Sequence, residues 1–393
     1  MNNIPKLIVG IDTASNYHQA SFITPESKII HTFQFPNSYT GFRKLIHQLT
    51  LLAASPQNTI IGIEASSNFH INLSSFLQNH QYKVLLINPL MVKQKRNRFI
   101  RMTKSDKIDS IVVAMETRDH LHTLHPQKPD PVLKQLTSHR YRLKKDITRI
   151  TQRTSNLLNI LFPEIKFIFP HPMRSATCIK LLQTYKTPKN LAKIEKDELV
   201  NFLRKTSRGK LKDIERKAED ILHYAKKSIA IPELAEKASL EYSHLIEMKE
   251  ILKKDLKEVE KEILKYQHID PRIPGIPSLM GIILMARIGE IKRFRRVDQL
   301  IAYAGLDNIT SQSGSRRHEG SISKRGDAVL RYALWEAAIA LIRTNEEISN
   351  YYQRKIAEGK SFKKAIVATM KKTLRYIYST LKKRELRQKE TTT

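Results

Sequence analysis

Cysteine is almost absent from this chain: Cys178 is the single one in 393 residues. That excludes internal disulfides and thiolate zinc sites, and it fits a reducing, cytoplasmic setting. No apolar run reaches the roughly 18 residues of a membrane span, and there is neither a lipidation motif nor a charged-then-apolar start. No membrane association is therefore expected. The 14 histidines show no HxxxH or HExxH spacing, which removes the commonest zinc arrangement. Acid is also scarce, with 38 Asp plus Glu against 69 Lys plus Arg, a net charge of +31 and a pI near 10.0. So large an excess exceeds what solubility needs. It points to a polyanionic partner, nucleic acid before a membrane surface.

At this length two or three domains are expected rather than one core. Residues 1–125 alternate strand and helix signals. Strands are expected at 7–11, 19–23, 28–35, 60–64 and 84–87, and helices at 39–52, at 71–78 and around Asp106 and Asp109. A meander followed by βα units describes a mixed sheet with helices against it. The run His125-Pro126-Gln127-Lys128-Pro129-Asp130-Pro131 cannot continue a helix and reads as a boundary. From Val132 to about Gln267 strand signals nearly vanish. Leu136, Leu143, Ile147, Ile150, Leu157 and Leu161, and later Leu245, Met248, Leu252, Leu256, Val259 and Ile263, recur at steps of three, four or seven. They predict long amphipathic helices forming a solvated arm or a short coiled coil between protomers, interrupted at Pro163 and at Pro170-His171-Pro172. Residues 268–393 form the third part. Ile273-Pro274-Gly275-Ile276-Pro277-Ser278 leads into an apolar helix, either as a capping turn or as a hairpin of the kind that holds a DNA phosphate at a helix start. The final helix carries a basic face that includes Lys371 and Lys372 and suits phosphate tracking.

The informative presence is a set of four carboxylates. Asp12 and Glu64 end the apolar runs Leu7-Ile8-Val9-Gly10-Ile11-Asp12 and Ile60-Ile61-Gly62-Ile63-Glu64, and Asp106 and Asp109 stand one helical turn apart in Thr103-Lys104-Ser105-Asp106-Lys107-Ile108-Asp109. An anion at the end of a buried strand is costly without a neutralising partner. Four brought together by a sheet would hold one or two Mg²⁺, with Mn²⁺ as the alternative, for metal-assisted chemistry on phosphate. Each acid alone has a plainer reading: a turn residue at Asp12, a strand-end charge at Glu64, partners for Lys104 and Lys107 at the Asp pair.

Near the other end stand Ala302-Tyr303-Ala304-Gly305-Leu306, Gln312-Ser313-Gly314-Ser315-Arg316-Arg317 and Ile322-Ser323-Lys324-Arg325-Gly326-Asp327. Taken alone, a Ser-Gly step in a polar stretch is usually a turn. Here Arg316, Arg317, Lys324 and Arg325 could clamp a phosphate beside it. Ser311, Ser315, Ser321 and Ser323 are rivals to Ser313.

The four acids in this order and spacing, with Val84-Leu85-Leu86-Ile87-Asn88-Pro89 between them, resemble the RuvC-like domain of DEDD insertion-sequence transposases, the Piv/MooV type. The serine segment is similar to that family's C-terminal domain, apart from Asn308, where many relatives place proline. The resemblance implies an α/β plus α chain. Residues 1–125 would form an RNase H/RuvC-like catalytic domain, 126–267 a helical or coiled-coil oligomerisation region, and 268–393 a mainly helical transposase domain. It implies a metal platform at Asp12, Glu64, Asp106 and Asp109, and Ser313 as the nucleophile that forms a 5′-phosphoserine link. It further implies a homo-oligomer in which acids and serine come from different protomers, DNA as substrate, and guidance by a structured noncoding RNA. Two other expectations stand beside it: a RuvC-type endonuclease that cuts by hydrolysis, and a non-catalytic nucleic-acid-binding relative.

Overall fold

The computed structural model describes residues 5–65, 68–97, 105–121, 130–313 and 316–390, with 309–313, 316–321 and 387–390 described in backbone only. The chain divides into two compact units. One comprises Met1–Pro131, Ile288–Tyr303 and Leu374–Thr393, the other Val132–Arg287 and Ala304–Thr373.

The first unit is built on five strands: β1 (Leu7–Asp12), β2 (Tyr17–Ile23), β3 (Ile29–Pro36), β4 (Thr59–Glu64) and β5 (Lys83–Ile87). They lie in the order β3-β2-β1-β4-β5. β1, β2 and β3 form an antiparallel meander, and β4 and β5 extend the sheet in parallel with β1. Parallel neighbours need crossovers, and helices supply them. These are α1 (Tyr39–Leu51), begun by the Ser38 cap, and α2 (Phe69–Asn79); α3 (Pro89–Arg96) and α4 (Asp106–Asp119) follow β5. Ile8, Val9 and Ile11 of β1 are fully buried, as expected for a central strand covered on both faces. Val9, Ile11, Phe22, Ile61 and Ile63 share a core with Leu45, Leu49, Leu73 and Leu77 of α1 and α2, while Ile8 and Ile23 pack with Ala114 of α4. This is the mixed sheet with covering helices that the sequence predicts, and its strand order and directions are those of an RNase H/RuvC-like fold. Helix α3 is an addition. Its eight residues begin at the Asn88-Pro89 cap and bury Val92 alone, too little for a periodic signal.

The second unit is dominated by helices. α5 (Pro131–Leu161) and α11 (Pro232–Leu264) are the long amphipathic pair expected. Between them the structure departs from a simple arm. α6 (Ile165–Ile168), α7 (Ala176–Tyr185), α8 (Pro188–Leu191), α9 (Lys196–Ser207) and α10 (Ile214–Lys226) fold into a small globule. Its core joins Leu161 and Phe162 to Leu181, Leu199, Leu203, Ile221 and Tyr242. Short helices form here because caps interrupt the periodicity, Ser175 accepting from Cys178 N and Thr187 from Asn190 N. Glu164 closes the globule, accepting from Ser228 Oγ at 2.8 Å and Ile229 N at 3.0 Å.

The chain continues through α12 (Ser278–Ile288) and α13 (Val297–Tyr303) to a hairpin of β6 (Asn308–Ser313) and β7 (Arg316–Ile322), then α14 (Ala328–Thr344), α15 (Glu346–Ala357) and α16 (Phe362–Glu390). The hairpin lies in a stretch read from the sequence as a polar turn. Its strands are mostly polar, with Ser and Arg the commonest polar residues, and carry no apolar alternation to announce them. The Ile273–Ser278 turn rests on the end of α14, where Thr344 Oγ1 donates to Gly275 O at 3.3 Å. Buried Arg140 of α5 bonds Glu260 of α11 and Glu336 of α14, each at 2.8 Å, fastening three helices of this unit. Among the described residues, no helix is long and apolar enough to cross a membrane.

Candidate active site

The site is set by where the sheet ends. β1 and β4 pair in parallel with Ile11 opposite Ile63, so the next residue of each strand, Asp12 and Glu64, emerges beside the other at the carboxyl edge. Crevices at that edge are where open α/β sheets place their chemistry. Thr13 Oγ1 donates to Glu64 O at 3.2 Å and joins the two strand ends.

Helix α4 brings the other two acids. Ser105 caps it, accepting from Ile108 N at 3.3 Å, and Asp106 and Asp109 occupy its first turn, where the helix dipole favours anions. The helix lies directly on the sheet because two glycines let it. A Cβ on Gly10 would stand 2.1 Å from Ala114 N, and one on Gly62 would stand 1.7 Å from Thr117 Oγ1. Ser110 Oγ and Ser21 Oγ add a buried hydrogen bond of 2.6 Å between α4 and β2.

The acids sense one another. Burial, followed by the charges of Glu64, Asp109 and Asp106, pushes the Asp12 carboxyl up to about 7. Asp109, 6% exposed, accepts from Arg96 Nη1 of α3 at 2.8 and 2.9 Å through its two oxygens, whereas Asp106 is exposed. Lys95 binds Glu116 at 3.3 Å and also Asp119, which clips α3 to α4. An all-oxygen donor set of mutually repelling carboxylates suits a hard divalent cation such as Mg²⁺ or Mn²⁺. Among the described residues, no three such side chains stand together in coordinating geometry. Asp109 is instead turned onto Arg96.

The serine segment belongs to the second unit. Ser313 ends β6 opposite Arg316, and Gln312 faces Arg317. Their side chains, like all of Gly314 and Ser315, and of Thr103 and Lys104 in the acid motif, lie outside the described residues. The foot of the hairpin is firmly tied. Ser323 N donates to Asp307 O at 2.8 Å, Lys324 N to Gly305 O at 3.1 Å, and Arg331 Nη1 to Ala304 O and Gly326 O at 3.0 and 3.1 Å. Gly305 is needed there: its φ is +65° and a Cβ would meet Gly326 N at 2.6 Å. The Ala304-Gly305-Leu306 and Ser323–Asp327 segments thus form one base under the strands. Lys324 and Arg325 are exposed beside it. Lys371 donates to Asn308 Oδ1 at 2.6 Å, and Lys372 pairs with Glu347 at 2.5 Å, so both basic residues of α16 singled out from sequence also make contacts within the protein.

Two family signatures match the chain. The DEDD transposase signature of the IS110 type covers residues 9–163, and that of the transposase IS116/IS110/IS902 family covers 271–353. Through both matches the chain is similar to the IS110/IS116/IS902 transposase family. All four acids fall in the first match, and Ser313, Arg316, Arg317, Lys324 and Arg325 in the second; Lys371 and Lys372 lie beyond both. Relatives align along nearly the whole length. The insertion element IS900 protein of Mycobacterium paratuberculosis is 25% identical over 98% of each chain. The insertion element IS110 protein of Streptomyces coelicolor is 21% identical over 96% of this chain and 94% of its own. The pilin gene-inverting protein of Moraxella bovis is 24% identical over 96% of each. Among solved structures, Thermus thermophilus RuvC in complex with a Holliday junction substrate aligns with a TM-score of 0.25 at 11% identity, covering 31% of this chain and 99% of that one.

Sequence reading missed Arg96, Ser110, Asp307 and Arg331. The first lies in a Lys/Arg run that resembles solvated charge, and the others act through tertiary contacts with no local signature. The glycines left a signal that could have been used, since Gly10 and Gly62 each stand two residues before an acid.

Proposed function

We propose that this transposase cuts and rejoins DNA with Asp12, Glu64, Asp106 and Asp109 as a platform for Mg²⁺ or Mn²⁺ and Ser313 as nucleophile. The carrying observation is the register that sets Asp12 beside Glu64 at the carboxyl edge of the sheet, with Asp106 and Asp109 in the first turn of the helix packed on that sheet, on a chain of net charge +31. A bound divalent cation would supply Lewis-acid polarisation of the scissile phosphate. Ser313 Oγ attacks phosphorus and gives up its proton to solvent; the bond to the 3′ oxygen breaks, leaving a free 3′-OH and a 5′-phosphoserine ester. Attack by the 3′-OH of another strand reverses the step and releases the serine. Arg316, Arg317, Lys324 and Arg325 would clamp the phosphate. Residues 1–125 would act as the catalytic domain, 126–267 as the helical oligomerisation region and 268–393 as the serine-bearing domain. Leu240, Met248 and Ile251, exposed on one side of α11, suit self-association into a homo-oligomer. Sequence choice would rest with a structured guide RNA, which much of the positive charge, Lys371 and Lys372 included, would serve.

Trapping with end-labelled DNA and Mg²⁺ tests the mechanism. A protein–DNA adduct is expected for the wild type. Ser313→Ala should abolish cleavage while leaving DNA affinity within about twofold, since the hydroxyl carries no charge. Cleavage by Ser313→Ala with free 5′-phosphate ends would establish hydrolysis by water instead, which needs only the four acids.

A further inference from the structure

The helical globule between α5 and α11 holds a large cavity of one sign. It has a volume of about 930 Å³ and lies between α7, α9 and the turn after α9. Arg174, Lys180, Lys205, Arg208 and Lys210 line it, and Phe202 forms part of the wall. No carboxylate is among its lining residues. Two of the globule's acids are paired elsewhere, Glu219 with Lys196 at 2.5 Å and Glu215 with Arg204 at 3.2 Å, and Glu198 hydrogen-bonds Tyr185. Among the described residues, none of the five lining cations makes an ion pair, and all five side chains are exposed. Cations gathered in a concave wall of low dielectric focus a positive potential on the space they surround.

We propose that this cavity is a binding site for unpaired nucleotides, distinct from the acid platform and the serine hairpin. Phosphates would lie against the five cations and one base against Phe202. The aromatic ring selects this occupant over a bare anion. Phe202 is half-buried and held edge-on by Tyr185 at 5.1 Å between ring centres, a fixed surface on which any base can stack. The size selects it over a duplex. A cavity near the upper end of the ordinary range for ligand pockets, roughly 300–1,000 Å³, admits a few nucleotides but not a double helix. A ring in its wall can be reached only by a base already out of its stack. The phosphodiester chemistry is common to single-stranded DNA and to an unpaired loop of RNA, so both are tested.

The experiment uses the full-length protein in EDTA, so that binding is read without cleavage and independently of the serine mechanism. Fluorescently labelled oligo-dT and oligo-U are titrated by anisotropy across a salt series, and photo-crosslinked through 4-thio bases. We expect crosslinks in the peptide carrying Phe202. The triple variant Lys205→Ala/Arg208→Ala/Lys210→Ala should lose at least about tenfold in affinity, and its slope of log K against log salt should fall by about 2, three contacts at ~0.7 each. Phe202→Leu should lose about fivefold or more with the slope unchanged, as stacking is lost without charge. The pair Arg174→Ala/Lys180→Ala on the α7 side keeps the test valid should the triple variant fold poorly. Cys178, buried with its thiol pushed up to about 12 by burial, reports folding through its inertness to thiol reagents. The stronger-binding polymer identifies the source of the phosphates. Crosslinks confined to other segments, with affinity and slope unchanged in folded variants, would overturn the proposal.

Discussion

Arg96 and Asp109 form a two-oxygen ion pair, with Nη1 at 2.8 and 2.9 Å from the carboxylate of the most buried of the four acids. The guanidinium occupies the lone pairs a cation would need.

Arg96→Ala should therefore separate two quantities that usually move together. Metal-free stability should fall by about 1–3 kcal/mol, the scale for an unpaired, largely buried charge. Mn²⁺ affinity should rise, by the order of tenfold if the exchange costs ~1.4 kcal/mol. Calorimetric titration together with thermal melts, with and without Mn²⁺, measures both. Weaker metal binding in the variant would show instead that Arg96 holds Asp109 in its ligating position.

The raised Asp12 carboxyl gives a pH dependence with a definite sign. Its folded value, about 7, lies above its ordinary 3.8, so between those limits the native state binds more protons than the unfolded state. Metal-free stability should fall as pH rises from about 4 through 7, by roughly 1–2 kcal/mol once solvent screening is allowed for. Asp12→Asn should remove that component and melt higher than the wild type at pH 8. Saturating Mn²⁺ should flatten the wild-type profile as well. Denaturant melts across pH decide it, and an Asp12→Asn variant less stable than wild type at pH 8 would refute the convergence of charge at this edge.

Sheet and site were unequally legible in the sequence. The runs before Asp12 and Glu64 announce central strands because every residue of them is apolar or glycine. The one-turn spacing of Asp106 and Asp109 places both in the first turn of α4. What stayed hidden are relations between distant segments. Arg96 looks like one more basic residue, the Ser313 strand lacks alternation, and the globule between α5 and α11 is masked by caps that cut its helices short.

The repeated glycines carry information that only the packing makes plain. Gly62→Ala should destabilise the protein by about 2–4 kcal/mol and disturb the α4 acids, because the new methyl collides with Thr117. Thr117→Ala leaves only its Cβ near that methyl, at 2.9 Å, so the double variant should recover much of the loss. Gly10→Ala has no such remedy, since its obstacles are Ala114 N and Ser110 O of the α4 backbone. Denaturant melts of the three variants and the double variant test the contrast. Additive losses in the double variant would place the strain elsewhere.

If the acids of one protomer serve Ser313 of another, two dead proteins should revive each other. Asp12→Ala lacks a metal ligand but keeps its serine, and Ser313→Ala lacks the nucleophile but keeps its acids. In a mixture that exchanges subunits, half of the dimers formed at random are mixed, and each contains one site with both defects and one with neither. Activity should therefore return to about a quarter of wild type, or more if one intact site suffices for the first cut. The phosphoserine adduct, resolved by mass using a size-tagged protomer, should form only on the chain that carries Asp12→Ala, because that chain alone retains Ser313. A mixture that stays inactive, while co-purification shows that the subunits have exchanged, would mean that each site is assembled within one chain.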